Sequence, residues 1–206
     1  LRLARNGSIT APALPGKFQV DGKLDEPAWE KASEARGFTR DFGRILSERE
    51  ILLIGHDEKG ILLGAKVRSL VEKPLEKGAK DRDTRHMYRT DEAVTLVLMP
   101  PSILKGKLPI TFLFSGNSRG TRFDSLGGVT QWNPEWEFAT AEMPGGWTAE
   151  ARIPWIVLGV KGRPSQAWKI NLLRWDTTDK ALSEWAPTFS PLGTERKHDG
   201  EVRFRE

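Results

Sequence analysis

The sequence predicts an all-β fold, an antiparallel two-sheet β-sandwich carrying one or two short helices. Three observations lead there. Short apolar runs are separated at close intervals by Gly, Pro, Asn and Asp, the punctuation of a sandwich or barrel. Several runs alternate apolar and polar side chains with a period of two, as a half-buried strand does. The strand–long helix–strand rhythm of a parallel α/β sheet is missing. With 206 residues, 38% hydrophobic and 29% charged, the chain suits one domain spanning residues 1–206.

The elements follow in chain order. "KFQVDG" predicts a short strand closing in a turn, and "DEPAWEKASEA" a brief helix, with Pro27 at its first turn and Trp29 and Ala32 at helical spacing. "EILLIGHDEKGILLGAKVR" predicts a hairpin turning at 57–60. "EAVTLVLM" and "ITFLFS" read as strands either side of the loop "PPSILKGKLP". In "QWNPEWEFATAEMPGGWTAEARIPW", Pro144-Gly145-Gly146 marks a second hairpin turn. After it Trp147, Ala149, Ala151 and Ile153 share one face, and Ala139, Ala141 and Met143 are expected to continue that buried face before it. Trp147 is therefore expected in the core, and Trp155, in a helical turn after Pro154 that folds back over the sheet edge, is expected to be mostly buried. "AWKINLLRW" alternates Trp168, Ile170, Leu172 and Arg174 against Lys169, Asn171, Leu173 and Trp175. "GEVRF" reads as a last strand, for about ten strands in all.

Composition removes several classes of function. Zero cysteines excludes disulfides, thiol catalysis, iron–sulfur clusters and cysteine-ligated zinc. The net charge of +4 is mild and its two signs are interspersed, unlike the basic stripe with interleaved aromatics expected of a nucleic-acid binder. An acidic polysaccharide is compatible with it. No apolar run approaches the roughly 18 residues that span a bilayer. The chain starts at Leu1 and reads as a trimmed or mature segment. "FSGNSRG" lacks the G-x-S-x-G context of a nucleophilic serine. The carboxylate pairs Asp25-Glu26 and Asp91-Glu92 are chain neighbours, which in a strand point to opposite sides rather than flanking one bond.

The ordered set "VDGKLDEPAW", "HDEKGILLGAKV", "RTDEAVTLVL", "GGWTAEARIPWIVLG", "WKINLLRWD" and "DGEVRF" resembles the family 9 carbohydrate-binding modules and related sugar-binding-like domains of bacterial exported proteins. The resemblance runs from about Val20 to Phe204. It implies a jelly-roll-like sandwich with a ligand slot between two aromatic rings at one end, polar residues gripping hydroxyls, and structural calcium in loops. Tyr88 matches the first aromatic wall. At the family's carboxylate position this chain has Val94, at its arginine position Leu113, and at its second wall no tryptophan, with Phe189 slightly upstream.

Sugar recognition needs a flat ring for the C–H face and donors and acceptors for hydroxyls. Tyr88, flanked by Arg85, His86 and Arg89, supplies both, or else caps the sandwich end. Trp132 lies in a loop without periodic neighbours and is either a surface ring or a plug. Arg174 is either paired with a carboxylate such as Glu150 or faces the ligand end. The candidate ligand contacts are thus Tyr88, Arg89, Trp132, Arg174 and Phe189. Asp176 and Asp179 share one turn and are the candidate calcium ligands, needing backbone oxygens and water to complete a shell; no organic cofactor is expected. The expected function is non-catalytic binding of a polysaccharide or oligosaccharide by an extracellular, periplasmic or cell-surface module, with a fused catalytic domain as a candidate partner. The alternative is a structural or interaction domain that has lost sugar binding.

Overall fold

The computed structural model describes residues 7–40, 45–101, 110–188 and 199–206. Among them are fourteen strands: β1 Ser8–Pro12, β2 Ser33–Ala35, β3 Phe38–Arg40, β4 Ile45–Ser47, β5 Glu50–His56, β6 Gly60–Arg68, β7 Ala93–Met99, β8 Phe112–Asn117, β9 Arg122–Leu126, β10 Glu137–Met143, β11 Gly146–Pro154, β12 Trp168–Asp176, β13 Ala181–Glu184 and β14 Gly200–Arg205. The large sheet runs β4-β3-β13-β12-β7-β8-β9, with β14 beside the first part of β12. The small sheet runs β10-β11-β6-β5-β2. All pairings are antiparallel except β1 with β14, which is parallel. The fold is the all-β sandwich that the alternation predicts.

The core lies between the inner faces. Leu52 and Ile54 of β5, Ile61, Ala65 and Val67 of β6, and Trp147, Ala149, Ala151 and Ile153 of β11 meet Val94, Leu96 and Leu98 of β7 and Trp168, Ile170 and Leu172 of β12. Trp147 is fully buried and Trp155 nearly so, as expected of both. A ring of that size removes on the order of 200 Å² from water, worth several kcal/mol before entropy is counted.

The structure differs from the sequence expectation in three places. "KFQVDG" forms no strand. Residues 13–32 instead cross the outer face of the small sheet, because the Asp21 and Gly22 N–H groups are taken by the Glu150 carboxylate rather than a neighbouring strand. Gly22, at φ +89, lies so close to the Thr140 backbone that a Cβ there would sit 2.5 Å from it. The predicted helix is a single 3-10 turn, Pro27–Lys31. Finally, the β10–β11 turn holds two residues, so Glu142 pairs with Trp147 and Ala139 with Glu150. That register puts Phe138, Thr140 and Glu142 on the core side, and Ala139, Ala141 and Met143 outside.

Candidate functional site

The site is built on the outer face of the large sheet. In β7, Val94, Leu96 and Leu98 point into the core, so Ala93, Thr95 and Val97 point outward. The register continues this face across the sheet: Glu184 of β13, Leu173 of β12, Thr95 of β7, Ser115 of β8 and Phe123 of β9 lie in one row. Leu182, Trp175, Ala93 and Asn117 form the next row. Thr95 Oγ1 donates to Ser115 Oγ at 2.8 Å, and Ser115 Oγ to the Val94 carbonyl at 3.2 Å. Both hydroxyls are buried. Trp175 and Leu113 are half-buried on the same face. Three interstrand spacings separate β12 from β9, about 14 Å.

Tyr88 stands over the β9 end of this face. It belongs to a 3-10 turn, Met87–Arg89, whose Met87 side chain is fully buried and anchors the loop. Asp91 orders the same loop: its Oδ2 accepts from the Ala79 N–H at 2.7 Å and Asn117 Nδ2 at 2.9 Å. The Tyr88 ring rests 4.9 Å from the Phe123 ring at 39°, a pairing worth about 1 kcal/mol. The Arg89 guanidinium lies 5.4 Å above the Tyr88 ring, within cation–π range. Tyr88 and Arg89 are half-buried, while Arg85 and His86 are exposed and joined by an Arg85 Nε to His86 Nε2 hydrogen bond of 3.0 Å.

The structure brings Tyr88 and Arg89 together but not the other candidates. Trp132 packs edge-on against Phe112 and Phe114, 5.5 and 5.7 Å away. Those two phenylalanines belong to the core face, whereas Phe123 faces outward, so Trp132 and Tyr88 occupy opposite sides of the sheet. Arg174 is 1% exposed. Its Nη2 donates to Glu92 Oε2 at 2.8 Å and its Nη1 lies 2.6 Å from Asp176 Oδ2. The pairing reading of Arg174 therefore holds, with Glu92 and Asp176 as partners in place of Glu150. Phe189 lies outside the described residues.

Asp176 and Asp179 sit among guanidinium groups. Arg49 Nη1 bridges them, 2.7 Å from Asp176 Oδ2 and 3.0 Å from Asp179 Oδ2, and Arg40 pairs with Asp179. Burial alone would raise the Asp176 pKa, but Arg174 and Arg49 bring it down to about 2. Calcium takes six to eight oxygens. A turn whose carboxylates already meet three guanidiniums does not fit that ion. Among the described residues no group of three or more His, Asp or Glu side chains could hold a metal.

Reasoning from sequence missed Trp175, Thr95 and Ser115. Their signal was present. The alternation of "WKINLLRWD" separates Trp175 from the Trp168 face, and burial of that face leaves Trp175 outside. The same phase assigns Val94 to the core and Thr95 to Tyr88's side of the sheet.

No protein-family model matches the chain, and no curated protein matches it in sequence. Solved structures do resemble it. A Bacteroides uniformis protein provisionally described as carbohydrate-binding superposes with a TM-score of 0.68 at 16% identity, covering 96% of this chain and 99% of that one. A family 9 carbohydrate-binding module from Caldicellulosiruptor kristjanssonii in complex with cellotriose gives 0.64 at 12% identity, covering 96% and 93%. Its complex with glucose gives 0.64 at 13%, covering 96% and 95%. The large sheet, the small sheet and their order along nearly the whole chain thus give this protein the fold of the family 9 carbohydrate-binding modules.

Proposed function

We propose that this chain is a non-catalytic carbohydrate-binding module which takes a polysaccharide or oligosaccharide on the outer face of its large sheet. The observation that carries the reading is Tyr88: a half-buried ring, braced by Phe123 and flanked by Arg89, at the β9 end of the large sheet's outer face. A braced ring loses little freedom on stacking against a sugar. Trp175, half-buried on the same face, is the second aromatic surface. The structural neighbour bound to cellotriose and glucose supports the reading at the level of the fold. On this reading the module acts outside the cytoplasm, within or beside a glycan-active enzyme or surface protein. Among the described residues no helix is long and apolar enough to cross a membrane.

One observation favours a second reading, a sandwich that has lost its sugar grip. Thr95 and Ser115 satisfy one another, and Arg174, on the core face, is committed to carboxylates. Calorimetric titration with cellotriose and a panel of soluble polysaccharides separates the two. The proposal expects saturable binding that Tyr88→Ala abolishes while the melting temperature stays within a few degrees of the parent. Failure of every glycan to bind the parent protein favours the second reading.

A further inference from the structure

We infer that His86 is a sugar-contacting residue, its Nδ1–H donating to a hydroxyl of the glycan stacked on Tyr88; this rests on the glycan-binding reading of the same site. Arg85 is the positioning residue that fixes the tautomer. The two side chains are joined by a hydrogen bond from Arg85 Nε to His86 Nε2 at 3.0 Å. A guanidinium carries N–H donors and no acceptor, so the imidazole nitrogen that faces it has to accept. A ring nitrogen that accepts bears no proton, and the proton of the neutral ring then sits on Nδ1. Arg85 thus turns a ring with two interchangeable forms into one with a fixed donor.

The backbone sets that donor beside the stacking ring. His86 leads into the 3-10 turn Met87–Arg89 with φ 66 and ψ 8, in the left-handed region, where residues with a Cβ are uncommon. Bonds on both sides secure it there. The His86 carbonyl accepts from the Arg89 N–H at 2.7 Å and the Thr90 hydroxyl at 3.3 Å. The Met87 N–H donates to the Thr84 carbonyl at 3.1 Å, and the Met87 side chain is fully buried.

Backbone outliers of this kind collect at ligand sites, and here the side chain has something to meet. The exposed His86 ring stands 6.5 Å from the Tyr88 ring, centroid to centroid, inclined at 57°. Phe123 braces Tyr88 at 4.9 Å. A sugar stacked on a flat ring carries its hydroxyls around the edge, and an imidazole tilted out of the stacking plane at that distance can reach one of them. Stacking supplies contact area with little preference for orientation, whereas a single fixed donor at the rim selects one orientation.

The test reads tautomer and affinity on the intact chain. Nitrogen-15 spectra of the imidazoles at about pH 8, where an ordinary ring is neutral, are expected to show His86 protonated at Nδ1 and bare at Nε2. Arg85→Ala is expected to blur that pattern into a mixture of both tautomers. Calorimetric titration then uses cellotriose and the same polysaccharide panel. His86→Gly suits a left-handed backbone and deletes the donor; binding about fivefold weaker is expected, the worth of one hydrogen bond, at a melting temperature within a few degrees of the parent. His86→Asn tolerates the same backbone and keeps an N–H donor, and is expected to stay within about twofold of the parent. A proton on Nε2, or parent-like affinity in His86→Gly, overturns the inference and leaves the Tyr88 reading standing. A parent protein that binds no glycan of the panel overturns both.

Discussion

The two sheets have outer faces of the same pleated geometry and different cover. On the small sheet the outward residues Leu53 and Leu62 are apolar, and the chain covers them with its own Leu14, Ala28 and Trp29. Beneath that cover Glu150 is 2% exposed. Its Oε2 accepts from the Asp21 and Gly22 N–H groups at 3.0 and 2.9 Å, and its Oε1 from Trp29 Nε1 at 2.8 Å and Leu24 N–H at 3.3 Å. On the large sheet the outward residues are mixed, with Thr95 and Ser115 beside Ala93, Val97, Leu113 and Leu173, and Tyr88 and Trp175 remain half-buried. An apolar face has to be sealed by the chain itself, since exposure costs roughly 25 cal/mol per Å². Half-buried rings braced on such a face can stay available to a ligand. The fold is held on the first face, and the proposed recognition lies on the second.

The comparison is most severely tested at Glu150. Glu150→Ala removes the acceptor for four donors at once and leaves them under an apolar cover, where each unmade bond costs about 1–3 kcal/mol. The effects overlap, and a total loss of about 4 kcal/mol is expected from urea unfolding. Burial pushes the Glu150 pKa up, against the pull of the Gly22 N–H and the Trp29 ring N–H. Its ionisation therefore disfavours the folded state, a penalty relieved as the pH falls through its folded pKa. A loss under about 1 kcal/mol would mean that the cover is held by Trp29 and Leu14 alone.

Much of this contrast is legible in the sequence. The period of two in β11 predicts which side chains face the core, and Trp147, Ala149, Ala151 and Ile153 lie where it puts them. The run "VDGKLDEPAW" was not legible as a cover, since its ladder partner is a side chain 129 residues away from Asp21. Propensity is local, and a carboxylate acting as a strand edge is not. Trp132 and Tyr88 have equal claims in sequence because both sit in loops; only the register of β8 and β9 sends Phe112 and Phe123 to opposite faces. Arg174 fell on the core face by its spacing, and its burial follows from that phase together with acids at Glu92 and Asp176 that no local pattern pairs with it.

Next in size is the acid limit at the edge of the large sheet. Asp176, held at about 2 against a usual 3.8, contributes stability that is present above pH 3.8 and lost as the pH falls through about 2. The sign is opposite to that of Glu150. Asp176→Asn is expected to cost about 2 kcal/mol at neutral pH and to flatten the acid limb of the unfolding curve below pH 4. An unchanged limb would assign acid sensitivity to carboxylates elsewhere, and would remove the arginine cluster from the account of how this edge is held.

The smallest effect separates floor from ring on the outer face of the large sheet. Thr95→Val keeps the side chain's shape and deletes its donation to Ser115, whose hydroxyl still reaches the Val94 carbonyl. A stability loss of about 1 kcal/mol is expected. Thr95 is 4% exposed, so a sugar above Tyr88 meets it through other atoms, and glycan affinity is expected to change less than about threefold, under 1 kcal/mol. Tyr88→Ala, by contrast, removes the stacking surface itself. If Thr95→Val weakened binding as much as Tyr88→Ala, the hydroxyl pair would have to open toward the ligand, and the large sheet would recognise sugars through its floor rather than through a braced ring at its rim.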